Sequence, residues 1–547
     1  MPTPRVDVPP VVRAVTALWA ALLLGASLLW PVGYGLDEFQ HIDMAYAYSH
    51  APFHFYAPGG RAPSVAANAL GAQRHAPPQD LAFGDRLIAA RSQRPSLEQL
   101  GGNAPAKNTL LPNQMTQHPP LYYELAGAVL WLPGVSGMAW DVQTWLMRLV
   151  SVLFMLPVPA LCFAAARRLL REGALGGSVG EVLEKPERLA VLAAVVPLTI
   201  PNLIRDGSAV TNDSLLILTT SVVLYLLCRI VTGDLSRKVA IWLAVSLAAA
   251  LLTKGFSLVL PPFVLAAYVI GCRRAGKPLT TLVPPLGVAA VGGAIGGLWW
   301  LHNVVAYGAV QTNGFGPNHP FPYGTSPGGT AHFTTFLKTF LYDFVSRIWG
   351  ETGYPDNPSP GNLLIFGWFT LLLLGAAGAL LFRRETRSRS VMSLLVLLPL
   401  ANVAVVAQGS WSTYRVYPDT PHGSQGRYLF QTVVALAVVA TVGWLNLVRP
   451  QVACWLAPAT FAGALLTNGL VWERIVSGWY EKHEGGSFTG GLHSVLAWSP
   501  LPSPLTLLVF CLPVLLAVVA GRAVIVNARQ LDSPTPRPSE HGALQIA

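Results

Sequence analysis

The stretch VVRAVTALWAALLLGASLLWPVGYGLDEFQH, residues 11–41, decides the fold. Its first part, 11–33, is apolar enough to cross a hydrocarbon core about 30 Å thick, which takes about 20 helical residues. The run is too long for a signal peptide and lacks a small-residue cleavage site, so we interpret it as a retained helix. Two adjacent acids, Asp37 and Glu38, follow it where the chain should leave the membrane.

The composition of the whole chain is that of a membrane protein. Of its 547 residues, 52% are hydrophobic and 11% are charged, and the mean hydropathy is +0.47. Soluble proteins carry about 25% charged residues, so an ordinary soluble enzyme is excluded. The net charge of +10 is typical of basic loops held at the cytoplasmic face, and we expect no nucleic-acid partner. The five cysteines form no CxxC pair, which indicates neither a disulfide framework nor a zinc site.

Apolar runs of suitable length predict an all-α polytopic membrane protein with about 12 transmembrane helices. A further run, 121–137, is short and carries Glu124. We place it on the outer face as a juxtamembrane helix, because the basic clusters of the later loops then fall on the cytoplasmic side together with both termini. The predicted spans lie near 11–33, 142–166, 189–204, 214–230, 239–253, 256–271, 281–303, 362–382, 391–407, 429–448, 453–472 and 503–523.

This topology divides the chain into four parts. Residues 1–303 form a transmembrane module with a long first outer loop at 34–120. An outer loop follows at 304–361, and further transmembrane helices at 362–523. The Pro/Ser-rich tail, 524–547, is expected to be disordered on the cytoplasmic side.

Acidic side chains stand at the start of the first outer loop. Asp37 and Glu38 precede His41 by one short helical turn. Burial at a membrane surface is costly for carboxylates, so the pair favours a general base or an acid pair that positions an acceptor hydroxyl. A solvated helix start explains the same residues, because acids are favoured at the N-terminal end of the helix dipole.

Two further outer segments concentrate polar residues. In QHPPLYY, residues 117–123, His118 is suited to contact a phosphate or an acceptor, and Tyr122 suits a membrane interface. An interfacial histidine beside a turn is the alternative. The short turn RDGSAVTND, residues 205–213, places Arg205, Asp206, Asn212 and Asp213 between two apolar runs. Asp213 either caps the next helix or faces a site.

Cations occur in two other outer segments. Lys254 lies in LTKGFSLVLPP at the bend between two predicted spans, where an ammonium is costly unless it snorkels to water or meets an anion. Arg427 lies in HGSQGRYLF, residues 422–430, with His422 and Gln425 beside it. Such an arginine at a helix start is suited to bind an anion, and it is equally suited to anchor a helix at the interface.

Taken in this order, the motifs resemble the GT-C superfamily of membrane glycosyltransferases, which use polyprenyl-phosphate-linked sugars. The resemblance rests on the acidic pair Asp37-Glu38 and on PPLYY, TNDSLL, TKGFSLVLP and RYLF. LTKG-x-x-LVLP is similar to the aminoarabinose transferase and protein O-mannosyltransferase branch. The pattern also resembles an uncharacterised family of actinobacterial multi-spanning proteins. It covers roughly residues 10–450.

The resemblance implies a GT-C-like fold and roles for particular residues. Asp37 would act as base or orient the acceptor, with Glu38 as its neighbour. Lys254 and Arg427 would contact the donor phosphate. Asp213 would line the site, and Arg148 matches a recurrent arginine. His118 stands where the aminoarabinose branch has lysine, so its specificity does not carry over.

The function expected is transfer of a sugar from a polyprenyl-phosphate donor to a cell-envelope glycan, lipid or protein on the outer face of the plasma membrane, with inversion. A transporter or flippase of lipid-linked glycans is the alternative, as is a noncatalytic scaffold for cell-wall assembly. Transporters place charges at the bilayer midplane, whereas these charges lie at outer helix ends. Mg²⁺ or Mn²⁺ bound by Asp37 and Asp213 is a further possibility. His50 and His54 have metal-ligand spacing but no evident third ligand.

Overall fold

The secondary structure of the protein is helical. The computed structural model describes residues 8–33, 35–74, 89–107, 109, 111–172, 185–316, 329–350, 359–381, 386–418, 423–480 and 487–532. Over these residues the structure contains one isolated bridge, between Ser64 and Pro105, and no β-sheet. The predicted all-α class is therefore confirmed.

The α-helices of the described residues are numbered in chain order. The first half contains α1 (Pro10–Leu29), α2 (Glu38–His50), α3 (Val65–Arg74), α4 (Leu121–Gly127), α5 (Trp140–Met155), α6 (Val158–Arg171), α7 (Pro186–Leu189), α8 (Val191–Val195), α9 (Pro201–Gly207), α10 (Asp213–Val231), α11 (Arg237–Leu251), α12 (Leu260–Arg274) and α13 (Val283–Tyr307). The second half contains α14 (Phe333–Trp349), α15 (Asn362–Leu381), α16 (Thr386–Tyr414), α17 (Val433–Leu447), α18 (Pro450–Ala453), α19 (Leu456–Arg474), α20 (Phe488–Trp498) and α21 (Ser503–Asp532).

Short 3₁₀ and π segments connect or extend several of these helices. The 3₁₀ segments are Arg91–Gln93, Gln114–Gln117, Ala128–Trp131, Val135–Gly137, Val196–Thr199, Gly255–Val259, Leu279–Leu282 and Gly426–Thr432, and the π segment is Ile475–Trp479.

The predicted spans coincide with helices of the structure. Ten helices in the described ranges are long and apolar enough to cross a membrane, and a pair bent by 71°, Pro186–Thr199 with Pro201–Gly207, makes eleven if it counts as one span. The bend lies where Pro201 begins α9, since proline has no N–H to continue the preceding turn. The twelfth predicted run, 239–253, forms α11, which has only 15 residues and is short for a span.

The run at 121–137 folds into short pieces. It forms α4, which has seven residues, followed by two shorter 3₁₀ segments. The helix α4 packs against α2 so closely that a Cβ on Gly127 would lie 2.2 Å from the carbonyl oxygen of Ala45. The segment therefore packs against α2, and none of its pieces is long enough to span.

Two helices extend into regions that the sequence analysis assigned to loop or tail. In the expected outer loop 304–361, α14 places Phe336, Phe340 and Phe344 on one buried stripe with a spacing of four residues. At the C-terminal end, α21 continues to Asp532, past the expected start of the tail at 524, because Val524 and Ala528 are buried against the bundle. Residues 533–547 lie outside the described residues.

The two ends of the bundle differ in chemistry. At one end of α10, the Nε of Arg229 donates to Asp234 at 2.9 Å, and Arg168 of α6 donates to Thr232 at 2.8 Å. At the other end of α10 stands Asp213, 18 residues before Val231 along the 19-residue helix and so about 27 Å away. Lys254, Arg427 and Asp37 lie with Asp213 at this second end.

Close backbone contact between α15 and α17 gives a test of the fold. A Cβ on Gly443 of α17 would lie 1.7 Å from the carbonyl oxygen of Gly375, whereas a Cβ on Gly367 of α15 would have no atom within 4 Å. We expect Gly443→Ala to lower the free energy of unfolding by about 1–3 kcal/mol through overpacking.

The matched variant Gly367→Ala should leave stability unchanged or raise it by up to about 1 kcal/mol through helix propensity. Thermal unfolding of both variants in detergent measures the difference. Equal melting temperatures for the two would contradict this packing of α15 on α17.

Candidate active site

The side chains of Asp37 and Glu38, in the loop between α1 and α2, point in different directions. Asp37 precedes α2 with φ 57° and ψ 19°, in the left-handed region, which aspartate tolerates better than most residues. Such a conformation persists only where surrounding contacts fix it. As a result, Asp37 and Glu38 have entirely different partners, although they are adjacent in the chain.

Glu38 forms a buried ion pair with Arg148 of α5. The Nε of Arg148 donates to Oε1 and its Nη2 donates to Oε2, both at 2.7 Å. Three backbone N–H groups also donate to this carboxylate: those of Gly33 at 2.7 Å, Gly35 at 3.1 Å and Val210 at 3.0 Å. Both oxygens are therefore occupied by the fold, and the side chain is fully buried.

Arg148 also closes the C-terminal end of α1. Its guanidinium donates to the carbonyls of Ser27 at 2.8 Å, Trp30 at 2.6 Å and Pro31 at 2.9 Å. Burial alone would raise the pKa of the Glu38 carboxyl, but the charge of Arg148 and the hydrogen bonds outweigh it and hold the pKa below its ordinary value. The pair thus joins α1, α2, α5 and the turn before α10.

Asp37 faces the other way, toward Arg427. The Nη2 of Arg427 donates to its Oδ2 at 2.6 Å, and the Nε2 of Gln114 donates to its Oδ1 at 3.2 Å. The Asp37 side chain is 31% exposed, whereas that of Arg427 is 4% exposed. Asp37 is therefore the carboxylate of the pair that a substrate can reach.

A second carboxylate, that of Asp213, connects Lys254 and Arg427. The Nζ of Lys254 donates to Oδ1 of Asp213 at 2.6 Å, and the Nη1 of Arg427 lies 3.8 Å from Oδ2 of Asp213. Asp37, Arg427, Asp213 and Lys254 thus form one chain of alternating charges, which we call the cation–acid cluster. Lys254 and Arg427 are both buried, so neither snorkels to water nor acts as a surface anchor.

Asp213 does not cap its own helix. It is the first residue of α10, after the N-cap residue Asn212; its Oδ1 accepts from Lys254, and its Oδ2 has no hydrogen-bond partner within the described residues. Instead, the hydroxyl of Thr211 accepts from the Asp213 N–H at 3.2 Å, and the hydroxyl of Tyr122 accepts from the Thr211 N–H at 2.8 Å. Tyr122, expected at the membrane interface, is buried and supports the acidic turn.

The segment that carries Arg427 rests on α14. A Cβ on Gly426 would lie 2.5 Å from the backbone of Ile348 and Phe344, so only glycine permits this approach. Arg347 of α14 donates to the carbonyl of Ser424 at 3.2 Å and to its hydroxyl at 3.1 Å. The helix α14, which the sequence analysis missed, therefore positions one of the site cations.

Two histidines lie beside the cluster. The Nδ1 of His41 is 3.0 Å from the hydroxyl of Tyr123, and the two rings are stacked. Burial, with the charges of Lys254 and Arg427, lowers the pKa of His41 well below its ordinary value. Burial and Lys254 likewise lower the pKa of His118, so both imidazoles are neutral near pH 7.

Several polar atoms of the site have no protein hydrogen-bond partner. The Nδ1 of His118, Oδ2 of Asp206, Oδ1 of Asn212, Oε1 of Gln425 and Nε of Arg427 are buried and unpartnered within the described residues. An unpartnered buried polar group costs about 1–3 kcal/mol, so this concentration favours a polar ligand here.

The remaining candidate residues lie at the edge of the site or outside it. Arg205 stacks over the ring of Trp30 at 4.3 Å and so lies against the end of α1. The Nε2 of His50 lies 3.8 Å from Oε2 of Glu98, which is not a member of the cluster. His422 lies outside the described residues. Gln114 and Tyr123 are site residues that the sequence analysis missed, because an amide and an interfacial tyrosine carry little signal alone.

The candidate metal ligands do not suit a divalent cation. Across the described ranges, no three His, Cys, Asp or Glu side chains lie close enough together to hold a metal ion. Asp37 and Asp213 each face a cation, which would repel a bound metal and competes for the same oxygens. The described residues around the cluster therefore do not supply a ligand set for Mg²⁺ or Mn²⁺.

Comparison with known proteins places the chain in a family. A family model described as "Predicted membrane protein (DUF2142)" matches residues 21–436. The chain belongs to the DUF2142 family. All four residues of the cation–acid cluster lie within the matched range of this DUF2142 member. No curated protein matches the sequence.

Solved structures of two proteins are among those similar to the chain at low identity. The crystal structure of ArnT from Cupriavidus metallidurans bound to undecaprenyl phosphate shares 15% identity at a TM-score of 0.47, covering 95% of this chain and 75% of that chain. The oligosaccharyltransferase from Archaeoglobus fulgidus in the apo form shares 12% identity at a TM-score of 0.38, covering 96% and 57%.

The buried Glu38–Arg148 pair yields a stability prediction. Removing one partner of a buried ion pair leaves an uncompensated charge, so Arg148→Met should lower the free energy of unfolding by about 3–5 kcal/mol. Glu38→Gln leaves Arg148 as the uncompensated buried charge, and its single amide oxygen cannot accept from all the donors of the carboxylate, so it should destabilise the protein by a similar amount. Thermal unfolding in detergent measures both effects.

The pH dependence of the free energy of unfolding distinguishes the Glu38–Arg148 ion pair from ordinary packing contacts. The folded-state pKa of Glu38 is below its ordinary value of 4.5. The contribution of the ionised carboxylate to the free energy of unfolding is therefore fully present above about pH 4.5 and is lost as the pH falls through the folded-state pKa. The stability difference between wild type and Glu38→Gln should therefore shrink below pH 4.5. A difference that stays constant from pH 7 to pH 3 would contradict the ion pair.

Proposed function

We propose that the protein transfers a sugar from a polyprenyl-phosphate donor to a hydroxyl acceptor at the membrane surface. The observation that carries the proposal is the cation–acid cluster, in which a partly exposed carboxylate, Asp37, directly contacts a buried guanidinium, Arg427. Glycosyl transfer needs a base for the acceptor and cations for the anionic leaving group within a few ångströms of each other. The motif resemblance to the GT-C superfamily supports the same chemistry.

In this proposal the cations hold the leaving group. A phosphate that enters beside Lys254 and Arg427 meets two buried cations, whose interaction with charge is stronger than in water. As the bond between the anomeric carbon and the phosphate oxygen breaks, its electron pair remains on the phosphate. Lys254 and Arg427 stabilise that charge, and a polyprenyl phosphate departs.

Asp37 acts on the acceptor. Its carboxylate accepts the proton of the acceptor hydroxyl while the hydroxyl oxygen forms a bond to the anomeric carbon. Attack from the side opposite the phosphate inverts the anomeric configuration. The other acid of the pair, Glu38, has both oxygens saturated by Arg148 and backbone N–H groups, and so we assign it a structural role.

Arg427 serves both halves of this reaction. Its guanidinium binds Asp37 at 2.6 Å in the structure, and the donor phosphate would compete for the same donors. Donor binding then weakens the Arg427–Asp37 contact, which makes Asp37 a stronger base. This exchange would link proton abstraction to the presence of a donor and suppress activation of an acceptor without one.

The basic residues at the opposite end of the bundle support an orientation. Arg168 and Arg229 lie at the end remote from the cluster. By the positive-inside rule we assign that end to the cytoplasm; in this orientation the cluster would face the outer side of the plasma membrane and both termini would lie inside. The acceptor is then a glycan, lipid or protein of the cell envelope.

The variant Asp37→Asn tests sugar transfer and binding of polyprenyl phosphate separately. We expect the rate of transfer to fall about 10²–10⁴-fold, because the base is lost. We expect the affinity for sugar-free polyprenyl phosphate to rise several-fold, because asparagine no longer competes as an anion for Arg427. Radiolabelled polyprenyl-phosphate sugars with membrane acceptors measure transfer, and binding is measured by microscale thermophoresis in detergent.

The outcomes separate the candidate functions. Unchanged transfer in Asp37→Asn would contradict the assigned base. Weaker binding of polyprenyl phosphate in that variant would contradict the competition for Arg427. Movement of labelled lipid-linked glycan across vesicles, with no covalent transfer, would favour a flippase instead.

The cations are tested by removing their charges. Arg427→Met should weaken binding of polyprenyl phosphate by about ten-fold or more, because charged hydrogen bonds contribute about 1.5–3 kcal/mol. The double variant Lys254→Met with Asp213→Asn removes the lysine without leaving a lone buried carboxylate and should weaken binding similarly. The exposed Arg415, changed to methionine, is the matched control.

Melting temperatures of these variants identify any that fail to fold. If the folded double variant and Arg427→Met bind polyprenyl phosphate as tightly as Arg415→Met does, the phosphate does not bind at the cluster.

A further inference from the structure

The carboxylate of Asp37 has two side-chain partners of different character. Arg427 binds Oδ2 as a cation at 2.6 Å, and Gln114 binds Oδ1 as a neutral donor at 3.2 Å. An ionised carboxylate can only accept, so Gln114 presents its NH₂ group to Asp37. In the proposed reaction the donor phosphate competes for Arg427, and Gln114 is then the side chain that still holds Asp37.

A neutral partner suits a carboxylate that acts as a base. A neighbouring cation stabilises the ionised form and so makes the carboxylate a weaker base. An amide donor carries no net charge, so it fixes the direction of the carboxylate at a smaller cost in basicity. Direction matters because a base must lie within hydrogen-bond reach of the proton that it abstracts, and a misplacement of about 1 Å can slow a reaction about 10²-fold.

The backbone around this glutamine is tied to α2. The 3₁₀ segment Gln114–Gln117 begins after Asn113, whose Oδ1 accepts from the N–H of Met115 at 2.9 Å. The Nδ2 of Asn113 donates to Oδ2 of Asp43 at 2.7 Å. Asp43 belongs to α2, the helix that begins directly after Asp37. The amide donor and the carboxylate are therefore held by segments that are bonded to each other.

The connection between α13 and α14 packs against the same 3₁₀ segment. A Cβ on Gly314 would overlap the carbonyl oxygen of Gln114, so no larger residue fits there without a shift of the backbone. The hydroxyl of Thr116 donates to the carbonyl of Gly314 at 3.1 Å, and the Nε2 of Gln311 donates to Oε1 of Gln117 at 3.1 Å. These contacts place the start of the α13–α14 connection directly against the glutamine that binds Asp37.

We propose that Gln114 is a positioning residue, which keeps the Asp37 carboxylate directed at the acceptor once the donor phosphate has engaged Arg427, and that the packing of Gly314 fixes Gln114. The inference rests on the proposed role of Asp37 as the base. It extends the site to the α13–α14 connection, which carries no member of the cation–acid cluster. Gln114 binds the base, whereas the phosphate binds the cations, so loss of the amide should slow transfer and leave phosphate binding unchanged.

Substitution of the amide separates these two effects. Gln114→Met keeps the length of the side chain and removes its donor. We expect the rate of transfer at saturating donor to fall about ten-fold, as expected for one lost hydrogen bond to a charged group. The KM for the donor and the affinity for sugar-free polyprenyl phosphate should stay within about two-fold of wild type. The exposed Gln93, changed to methionine, is the matched control.

A second substitution excludes a role in shape alone. Gln114→Glu has nearly the shape of glutamine, but at pH 8 its carboxylate repels Asp37 and cannot donate to it. We expect this variant to transfer sugar more slowly than Gln114→Met. A residue that served only to fill space would give the opposite order, because glutamate resembles glutamine more closely than methionine does.

The packing behind Gln114 is tested with a pair of glycines. Gly314→Ala should slow transfer about as much as Gln114→Met does, whereas Gly137→Ala should have no effect, because a Cβ on Gly137 would have no atom within 4 Å. The double variant of Gly314→Ala with Gln114→Met should be no slower than Gln114→Met, since both changes act through one hydrogen bond. Melting temperatures identify variants that fail to fold, and Gln311→Met, at an exposed position, replaces Gly314→Ala in that case.

Three results would overturn the inference. The first is transfer at the wild-type rate by folded Gln114→Met, in a protein that Asp37→Asn inactivates; the proposed function would then stand without it. The second is weaker binding of polyprenyl phosphate in Gln114→Met, which would mean that Gln114 acts on the cations. The third is an additive loss in the double variant. Unchanged transfer in Asp37→Asn would instead overturn the assigned base and this inference together.

Discussion

The buried ion pair between Glu38 and Arg148 is the interaction on which the site depends. Two buried charges repay their desolvation only when their hydrogen bonds are complete, and here both carboxylate oxygens and the guanidinium are fully engaged. The pair fixes the end of α1 relative to α2, α5 and the turn before α10. We infer that this arrangement fixes the left-handed backbone of Asp37 and the orientation of its side chain, because the adjacent Glu38 is bound by Arg148 and by backbone N–H groups.

The cation–acid cluster combines opposite charges that any substrate must rearrange. Asp37 and Asp213 neutralise Arg427 and Lys254 within the fold, which makes it possible to bury two cations close to the membrane. An anionic ligand would replace carboxylates as the partner of these cations. The proposed reaction therefore uses electrostatic contacts that already exist, and the arginine shared between base and phosphate couples its two halves.

Hydrophobic periodicity and charge predicted most of the architecture, because the positions of spans and basic loops follow from the free energy of transferring each segment from water into the membrane. Charge and periodicity predicted that the acids and the cations lie on the same side of the membrane. They did not predict which acid pairs with which cation. Glu38 and Asp37 are equivalent in sequence, and only the contact of Glu38 with Arg148, 110 positions away, separates a structural acid from an accessible one. The helix α14 was missed because its stripe of phenylalanines lies between Gly/Pro-rich segments, and its role depends on the approach of Gly426.

A cryo-electron microscopy structure with a bound polyprenyl phosphate tests the central claim most directly. The account predicts a phosphate in contact with both the Nζ of Lys254 and the guanidinium of Arg427, with the contact between Arg427 Nη2 and Asp37 lengthened from 2.6 Å. A phosphate bound away from both cations, with the Arg427–Asp37 pair intact, would contradict it.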